Sequence, residues 1–321
     1  MTEALCPEGS QAQIITFEQL RAALQRRVEE RGPVRVGVIN SHELNVMRAV
    51  CDVHHQGLIE GVLIGDEQLT RELCEHNNLD ISAFAVEHTR DRKKAVAAGA
   101  HYVVRDEVDF LVRGRITVYD LLHNLCKLEN GFRRKIDLMT YVSVFQLRLY
   151  PRLLLLSDGG VVIAPTLDQK VRIINQAVDV ALALGIREPR VALLAAVETV
   201  KSTLPVSLEQ AALAKMGDRG QIGRAVIDGP LAFDVAISEH AAKVKKLDSP
   251  VAGRADILIA PQIEAGTSIY QALMVFGRVR AAGAVVGARA PVVISARIDT
   301  LVNRINSIHL AAWLALSCPY R

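Results

Sequence analysis

Short, unbroken runs of Val, Ile and Leu punctuate the chain, and no other feature restricts its fold as much. VRVGVI at 34–39, GVLIG at 61–65, VDFLVRG at 108–114 and LLLLSD at 153–158 come first; VALLAAVE at 191–198, ADILIAP at 255–261, GAVVGA at 283–288 and PVVIS at 291–295 follow. Most are continuous rather than alternating, which is the pattern of strands covered on both faces. Helical patterns lie between them. Phe17, Leu20, Leu24 and Val28 recur at helical spacing behind Thr16-Phe-Glu-Gln19, which reads as a capping box. LDQKVRIINQAVDVALALG carries Asp168 early and Gly185 as a stop. Strand and helix alternating along the chain predict α/β layers around mostly parallel sheet. With 321 residues, half of them hydrophobic, there is enough chain for two such domains. No repeat, low-complexity tract or Pro/Gly/Ser-rich linker marks a border, so a border is expected at a compact crossover near residues 143–150.

Charge limits the partners. Lys and Arg number 38 against 35 Asp and Glu, with the two signs interleaved and a net charge of +3. No basic stripe emerges that would neutralise a run of phosphates, so nucleic acid is not an expected partner. Cys6, Cys51, Cys74, Cys126 and Cys318 are odd in number and scattered, with no CxxC pair, as in a cytoplasmic protein with reduced thiols. The stretch TEALCPEGSQAQ after Met1 lacks the charged start and apolar middle of a signal peptide. Apolar runs such as ALALGI fall well short of the ~20 residues of a membrane span. The expectation is a soluble cytoplasmic protein with no membrane partner.

In open α/β sheets, ligands settle beyond the carboxyl ends of the strands, so the residues after each run are the first candidates. Asp158-Gly159-Gly160 follow LLLLS, Glu198 follows VALLAAV, Asp228-Gly229-Pro230 follow AVI, and Gln262-Ile263-Glu264-Ala265-Gly266-Thr267 follow DILIAP. The last run, PVVIS, leads into Ala296 and Arg297, after which Leu301, Ile305, Ile308 and Ala312 mark a C-terminal helix. Arg297 thus sits at a strand-to-helix turn, where helix amides and a forked guanidinium together favour an anion. Asp299 is open to two readings: a base poised near that anion, or an N-cap standing just before Thr300, with Arg297 paired to an acidic neighbour.

Several familiar devices are missing. There is no GxGxxG, GxxxxGK, GxSxG or HExxH. Gly217-Asp-Arg-Gly220-Gln-Ile-Gly223 fits no nucleotide motif and reads as a turn, and His54 and His55 in VCDVHHQGL read as the polar edge of a helix rather than metal ligands. No metal site is expected, and Trp313 reads as core.

These stretches together resemble the phosphate acetyl/butyryltransferase family, the butyryltransferase branch above all. The resemblance is densest in VETVKSTLPVSLEQAALAKMGDRGQIGRAVIDGPLAFDVAIS at 197–238 and in SPVAGRADILIAPQIEAGTSIYQALMVFGRVRAAGAVVGARAPVVISARID at 249–299. It continues in 153–178 and, more loosely, in 108–134, and covers the chain from about Val34 onward. It implies two three-layer α/β domains with mostly parallel sheets and an interdomain cleft, the architecture of isocitrate and isopropylmalate dehydrogenases. Residues 1–142 with 296–321 would form the first domain and 143–295 a second, inserted one. It further implies a homodimer and an exchange of a short acyl group between coenzyme A and inorganic phosphate, with coenzyme A as substrate and no permanently bound cofactor.

By the same resemblance Arg297 grips phosphate, Asp299 accepts the coenzyme A thiol proton, and Asp228, Gly229, Gln262, Glu264, Gly266 and Thr267 order phosphate and the acyl end. Arg113 stands where the family has a Lys-Gly or Gly-rich segment lining the first domain. Arg133, Arg134 and Arg289 are further candidates for the phosphates of coenzyme A. The chain departs from the family at Ala296, where a serine precedes the arginine, and Ser295, on a strand, is expected to face the other way. Ser295 is nonetheless counted with Arg297 and Asp299 as a candidate catalytic residue. The chain departs again at Gln262, Thr267 and Tyr141, where the family carries aspartate, asparagine and histidine. Ala296 and Gln262 favour an alternative: a weak or silent relative that binds coenzyme A or a phosphorylated metabolite as a regulatory or assembly subunit. A decarboxylating dehydrogenase is disfavoured, since neither a metal-binding carboxylate cluster nor a dinucleotide site is evident.

Overall fold

A computed structural model describes residues 12–132 and 138–317. Arg133, Arg134, Cys6, Cys318 and the polar stretch that follows Met1, up to residue 11, lie outside the described residues. The chain divides into two compact units. The flanking unit takes the described residues of Phe17–Asp137 and Ala281–Arg321; the central unit takes Leu138–Arg280 with the described residues ahead of Phe17. Sides change after Asp137 and Arg280, where the resemblance suggests 142 and 295.

The flanking unit runs α1 (Phe17–Arg31), β1 (Val34–Ile39), α2 (Leu44–His55), β2 (Ile59–Gly65), α3 (Glu67–His76), β3 (Ala85–His88), α4 (Arg92–Val104), β4 (Phe110–Arg113) and α5 (Val118–Leu125). The central unit follows with β5 (Thr140–Gln146), β6 (Leu153–Ser157), α6 (Leu167–Ala183), β7 (Arg190–Leu194), α7 (Pro205–Asp218) and β8 (Val226–Leu231). It ends with α8 (Phe233–Ile237), α9 (Glu239–Val244), β9 (Ile257–Ile259) and α10 (Ile263–Gly277), before β10 (Arg280–Val286), β11 (Val292–Val293) and α11 (Leu301–Ser317) return to the flanking unit.

In the flanking unit the strands lie in the order β3-β2-β1-β4-β11-β10. All neighbours there are parallel except β10 and β11. In the central unit the order is β5-β6-β9-β7-β8, parallel except for β5 against β6. The unbroken apolar runs are buried as expected: all of LLLLS and nearly all of VRVGVI lie in the interior, and so does Trp313. Helix α6 opens on a full capping box, Thr166 with Gln169, and the chain leaves it through Gly185 at φ +83°. Among the described residues no helix is long and apolar enough to cross a membrane.

Four expectations need correction. The crossover expected at 143–150 is partly strand, because β5 occupies 140–146. TYVSVFQ breaks its apolar residues with Thr140 and Ser143, yet only Gln146 escapes full burial, so the strand does not read as a continuous apolar run. β3 was not foreseen at all: AVEH is four residues long with no fully buried position. β7 stops at Leu194, so Glu198 stands away from a strand end, in an ion pair with Lys245 at 2.8 Å. Lastly, Leu301 and Val302 are exposed in α11 while Asn303, Arg304, Asn306, Ser307 and His309 are buried, so the first turns of this helix carry their polar residues inward.

Candidate active site

The candidates gather at strand-helix junctions. In the central unit β6 and β9 run side by side, Ser157 in register with Ile259, and the backbone bond from Ala260 to Ser157 at 2.8 Å carries the pairing to the carboxyl ends. There the turn after β6 meets the start of α10. Gly266, in the first turns of α10, is buried against this turn: a Cβ on it would stand 2.5 Å from the Asp158 carbonyl oxygen and 2.8 Å from Gly159 Cα. No side chain fits in that gap, which is the physical reason for glycine in QIEAGT. The Thr267 hydroxyl adds a bond to the Gly159 carbonyl oxygen at 2.9 Å.

Asp158 completes the junction from below. Its carboxylate is 3% exposed and accepts N–H groups from Gly160 at 2.7 Å, Val161 at 2.9 Å and Tyr141 at 3.0 Å. Burial pushes this carboxyl up from its ordinary pKa, and the amide bonds, which favour the charged form, oppose the shift. Gln262 occupies the N-cap position of α10 without a side-chain cap bond, and Glu264 is exposed in the first helical turn, where the helix dipole favours a negative charge. Gln262, Glu264, Gly266 and Thr267 are therefore brought together, at the carboxyl ends of β6 and β9.

Asp228 and Gly229 do not join them. β8 runs through Val226–Leu231, so both residues lie inside a strand and not beyond its end as expected. β7 separates β8 from β9. Two contacts explain the placement. Gly229 passes so close to β7 that a Cβ would meet the Leu193 Cβ at 2.6 Å. The Asp228 carboxylate accepts the Gly229 amide at 2.8 Å and the Ser249 hydroxyl, while Ser249 in turn accepts from Val251 and Ala252. Pro230 is tolerated because β8 is the outer strand of the central unit, where a missing N–H breaks no ladder.

In the flanking unit, β11 ends at Val293 and the chain reaches α11 through 294–300. Ser295 is beyond the strand, not on it, and its side is set by burial (6% exposed) and by its carbonyl, which accepts Nη2 of Arg113 at 2.6 Å. Nη1 of Arg113 donates to the Ile116 carbonyl at 2.7 Å, so this guanidinium ties the end of β4 to the chain leaving β11. Next comes a tight turn: the Asp299 amide donates to the Ala296 carbonyl at 3.1 Å, and the Asp299 carboxylate accepts the Ala296 amide at 2.6 Å. Arg297 and Ile298 form the two central positions of this turn and are exposed.

The N-cap reading of Asp299 is corrected here. The cap is Thr300, whose hydroxyl accepts the Asn303 amide at 3.3 Å. The Asp299 carboxylate reaches back to the Ala296 amide and closes the turn. Ala296 keeps its place without the serine hydroxyl because both of its backbone groups are bonded. A further residue, Arg304, was missed by sequence reasoning: 7% exposed, it donates from Nη2 to the Ala296 carbonyl at 3.0 Å. Its signal was an arginine on a helix otherwise read only for apolar spacing. Arg289, exposed, donates from Nε to the Gly131 carbonyl at 2.7 Å.

The junctions hold acceptors, amides and an exposed guanidinium, the groups suited to a small anion and to charge developing on a carbonyl oxygen. Comparison with known proteins points the same way. The sequence model of one family, described as phosphate acetyl/butaryl transferase, matches residues 88–312. A phosphate butyryltransferase of Clostridium beijerinckii is 38% identical over 91% of this chain and 96% of its own. A phosphate acetyltransferase of Thermotoga maritima is 37% identical over 88% of this chain and 95% of its own. Among solved structures, a branched-chain phosphotransacylase from Enterococcus faecalis superposes with a TM-score of 0.77 at 26% identity, covering 88% of this chain and 99% of that one.

Proposed function

Because the chain belongs to the phosphate acetyl/butyryltransferase family, we infer that it is an acyltransferase moving a short acyl group reversibly between coenzyme A and inorganic phosphate. The observation that carries this is the 38% identity to a phosphate butyryltransferase along 91% of the chain. In one direction a phosphate oxygen attacks the thioester carbonyl, the negative charge moves onto the carbonyl oxygen, and the tetrahedral intermediate collapses to acyl phosphate with loss of the thiolate, which takes up a proton. In the other, the thiol loses that proton, the thiolate attacks the acyl phosphate, and phosphate departs.

Arg297 is proposed to hold the phosphate oxygens, for which a guanidinium fork is suited, and its exposure at the tip of a pinned turn supports the role. Asp299 is proposed to exchange the thiol proton. The Ala296 amide donates to this carboxylate and fixes it in the turn that carries Arg297. Ser295 and Arg113, bonded to each other, are proposed to fix the approach to that turn. Gln262, Glu264, Gly266 and Thr267 are proposed to order substrate at the start of α10, and Asp228 and Gly229 to shape the unit from β8. The same reading takes the two units as three-layer α/β domains of the isocitrate/isopropylmalate dehydrogenase type. It takes coenzyme A as substrate, a homodimer as the working form and the cytoplasm as the compartment.

The test is release of free coenzyme A from acetyl-, propionyl- and butyryl-CoA, with and without phosphate. Release that requires phosphate, for at least one acyl group, is the expected result. Equal release without phosphate, or none with any of the three, sinks the reading.

A further inference from the structure

Arg304 is a buried cation with no paired anion among the described residues. Its guanidinium makes one hydrogen bond among the described residues, Nη2 to the neutral Ala296 carbonyl, its Nε is buried with no hydrogen-bond partner there, and it forms no ion pair with them. The carboxylate of the same turn, Asp299, bonds the Ala296 amide on the other side of that residue. A guanidinium cannot shed its proton to escape burial, as a lysine or histidine can. An unpaired buried charge is costly, and an apolar residue would fill a helix position at lower cost if only packing were needed. The charge at this position therefore calls for a counter-charge beyond the described residues.

Its placement indicates which. The Ala296 carbonyl accepts from both the Asp299 amide and Arg304, so the guanidinium grips the base of the turn whose tip carries Arg297. We propose that Arg304 is a positioning residue whose missing counter-charge is the phosphate group of the substrate, held at the tip by Arg297. This rests on the reading that Arg297 binds phosphate. Arg304 locks the turn through the Ala296 carbonyl and adds a second, buried positive charge beneath the anion, where low dielectric makes it count for more than a surface charge.

The experiment measures KM for phosphate and KM for butyryl-CoA, with thermal unfolding, in the wild-type chain, Arg304→Gln, Arg304→Lys and Arg297→Ala. Arg304→Gln, which keeps a donor and removes the charge, is expected to raise the phosphate KM about tenfold or more while the butyryl-CoA KM moves less than about threefold. Arg304→Lys, which keeps the charge, is expected to stay within about threefold on both. A folded Arg304→Gln with unchanged phosphate KM makes the residue merely structural and overturns the proposal. If Arg304→Gln does not fold, Arg304→Lys decides: a phosphate KM within about threefold supports the charge, and a folded chain with a rise beyond about tenfold overturns it. An unchanged phosphate KM in Arg297→Ala removes instead the placement of phosphate on which the proposal rests.

Discussion

The starts of α10 and α11 are both strand-to-helix junctions with candidate residues, yet they are built by opposite means. At α10 the backbone itself makes the contact: Gly266 lies against Asp158 and Gly159, the Asp158 carboxylate is held by three amides, and Thr267 adds one hydroxyl. At α11 charged side chains do the holding, with Asp299 on the amide of Ala296 and Arg304 on its carbonyl. The first is a junction fixed by shape, which tolerates almost no added volume. The second is fixed by charge, which tolerates changes of volume but not of electrostatics. A shape-fixed junction suits a surface that substrate rests against, whereas a charge-fixed one suits the place where charge changes during a reaction.

The largest effect expected from breaking this contrast is on rate. Asp299→Asn keeps an acceptor for the Ala296 amide but removes the base, and turnover should fall by about a hundredfold or more with little change in unfolding temperature. If unfolding temperature drops and turnover holds, Asp299 is only a turn-closing residue. At α10 the expected loss is stability: Gly266→Ala drives a Cβ to within 2.5 Å of the Asp158 carbonyl oxygen, at a cost of about 1–3 kcal/mol in denaturant unfolding. A neutral Gly266→Ala would mean that the two junctions are not fixed differently.

The inverted face of α11 gives a prediction in pH. Burial holds His309 down at about 4, with Arg21 reinforcing the shift and Asp52 opposing it. The unfolded chain therefore takes the proton first, near pH 6.5. The contribution is complete above that pH and is lost as the pH falls through 6.5 towards 4, by up to about 3 kcal/mol. Asp179, raised to about 6 by burial, has the opposite sign over much of this range, losing its contribution as pH rises through 6. Comparing unfolding of the wild type and His309→Leu at pH 7, 5.5 and 4.5 separates the two: the wild type should lose stability on acidification relative to the variant, and parallel curves would contradict this. Smallest of all, Thr300→Ala should cost about 1 kcal/mol through its lost cap bond, and a loss no larger in Asp299→Ala would erase the distinction between cap and turn.

Sequence reading reached the strands that are continuous in Val, Ile and Leu, because burial on both faces writes itself into composition. It missed β3, too short and half exposed to show a pattern, and β5, whose apolar residues are broken by Thr140 and Ser143 although both of these are buried. At the candidate site, Gly266 and Arg297 were legible from their place after a strand. The positions of Asp228 and Asp299 were not, because each is decided by a partner distant along the chain or behind it: Ser249 and Leu193 for the first residue pair, the Ala296 amide for the second. Arg304 escaped notice because its burial follows from the Ala296 carbonyl, and the inward turn of Asn303 and Ser307 from the backbone amides of Ala281 and Gly283 that they accept. None of these demands appears in the periodicity of the helix.

The central claim, that the Ala296–Asp299 turn presents Arg297 to phosphate, is tested most directly by the phosphate dependence of coenzyme A release in Arg297→Ala. The account predicts a fall of about a hundredfold or more in kcat/KM for phosphate, with thermal unfolding unchanged. A phosphate saturation curve within about threefold of the wild type would contradict it.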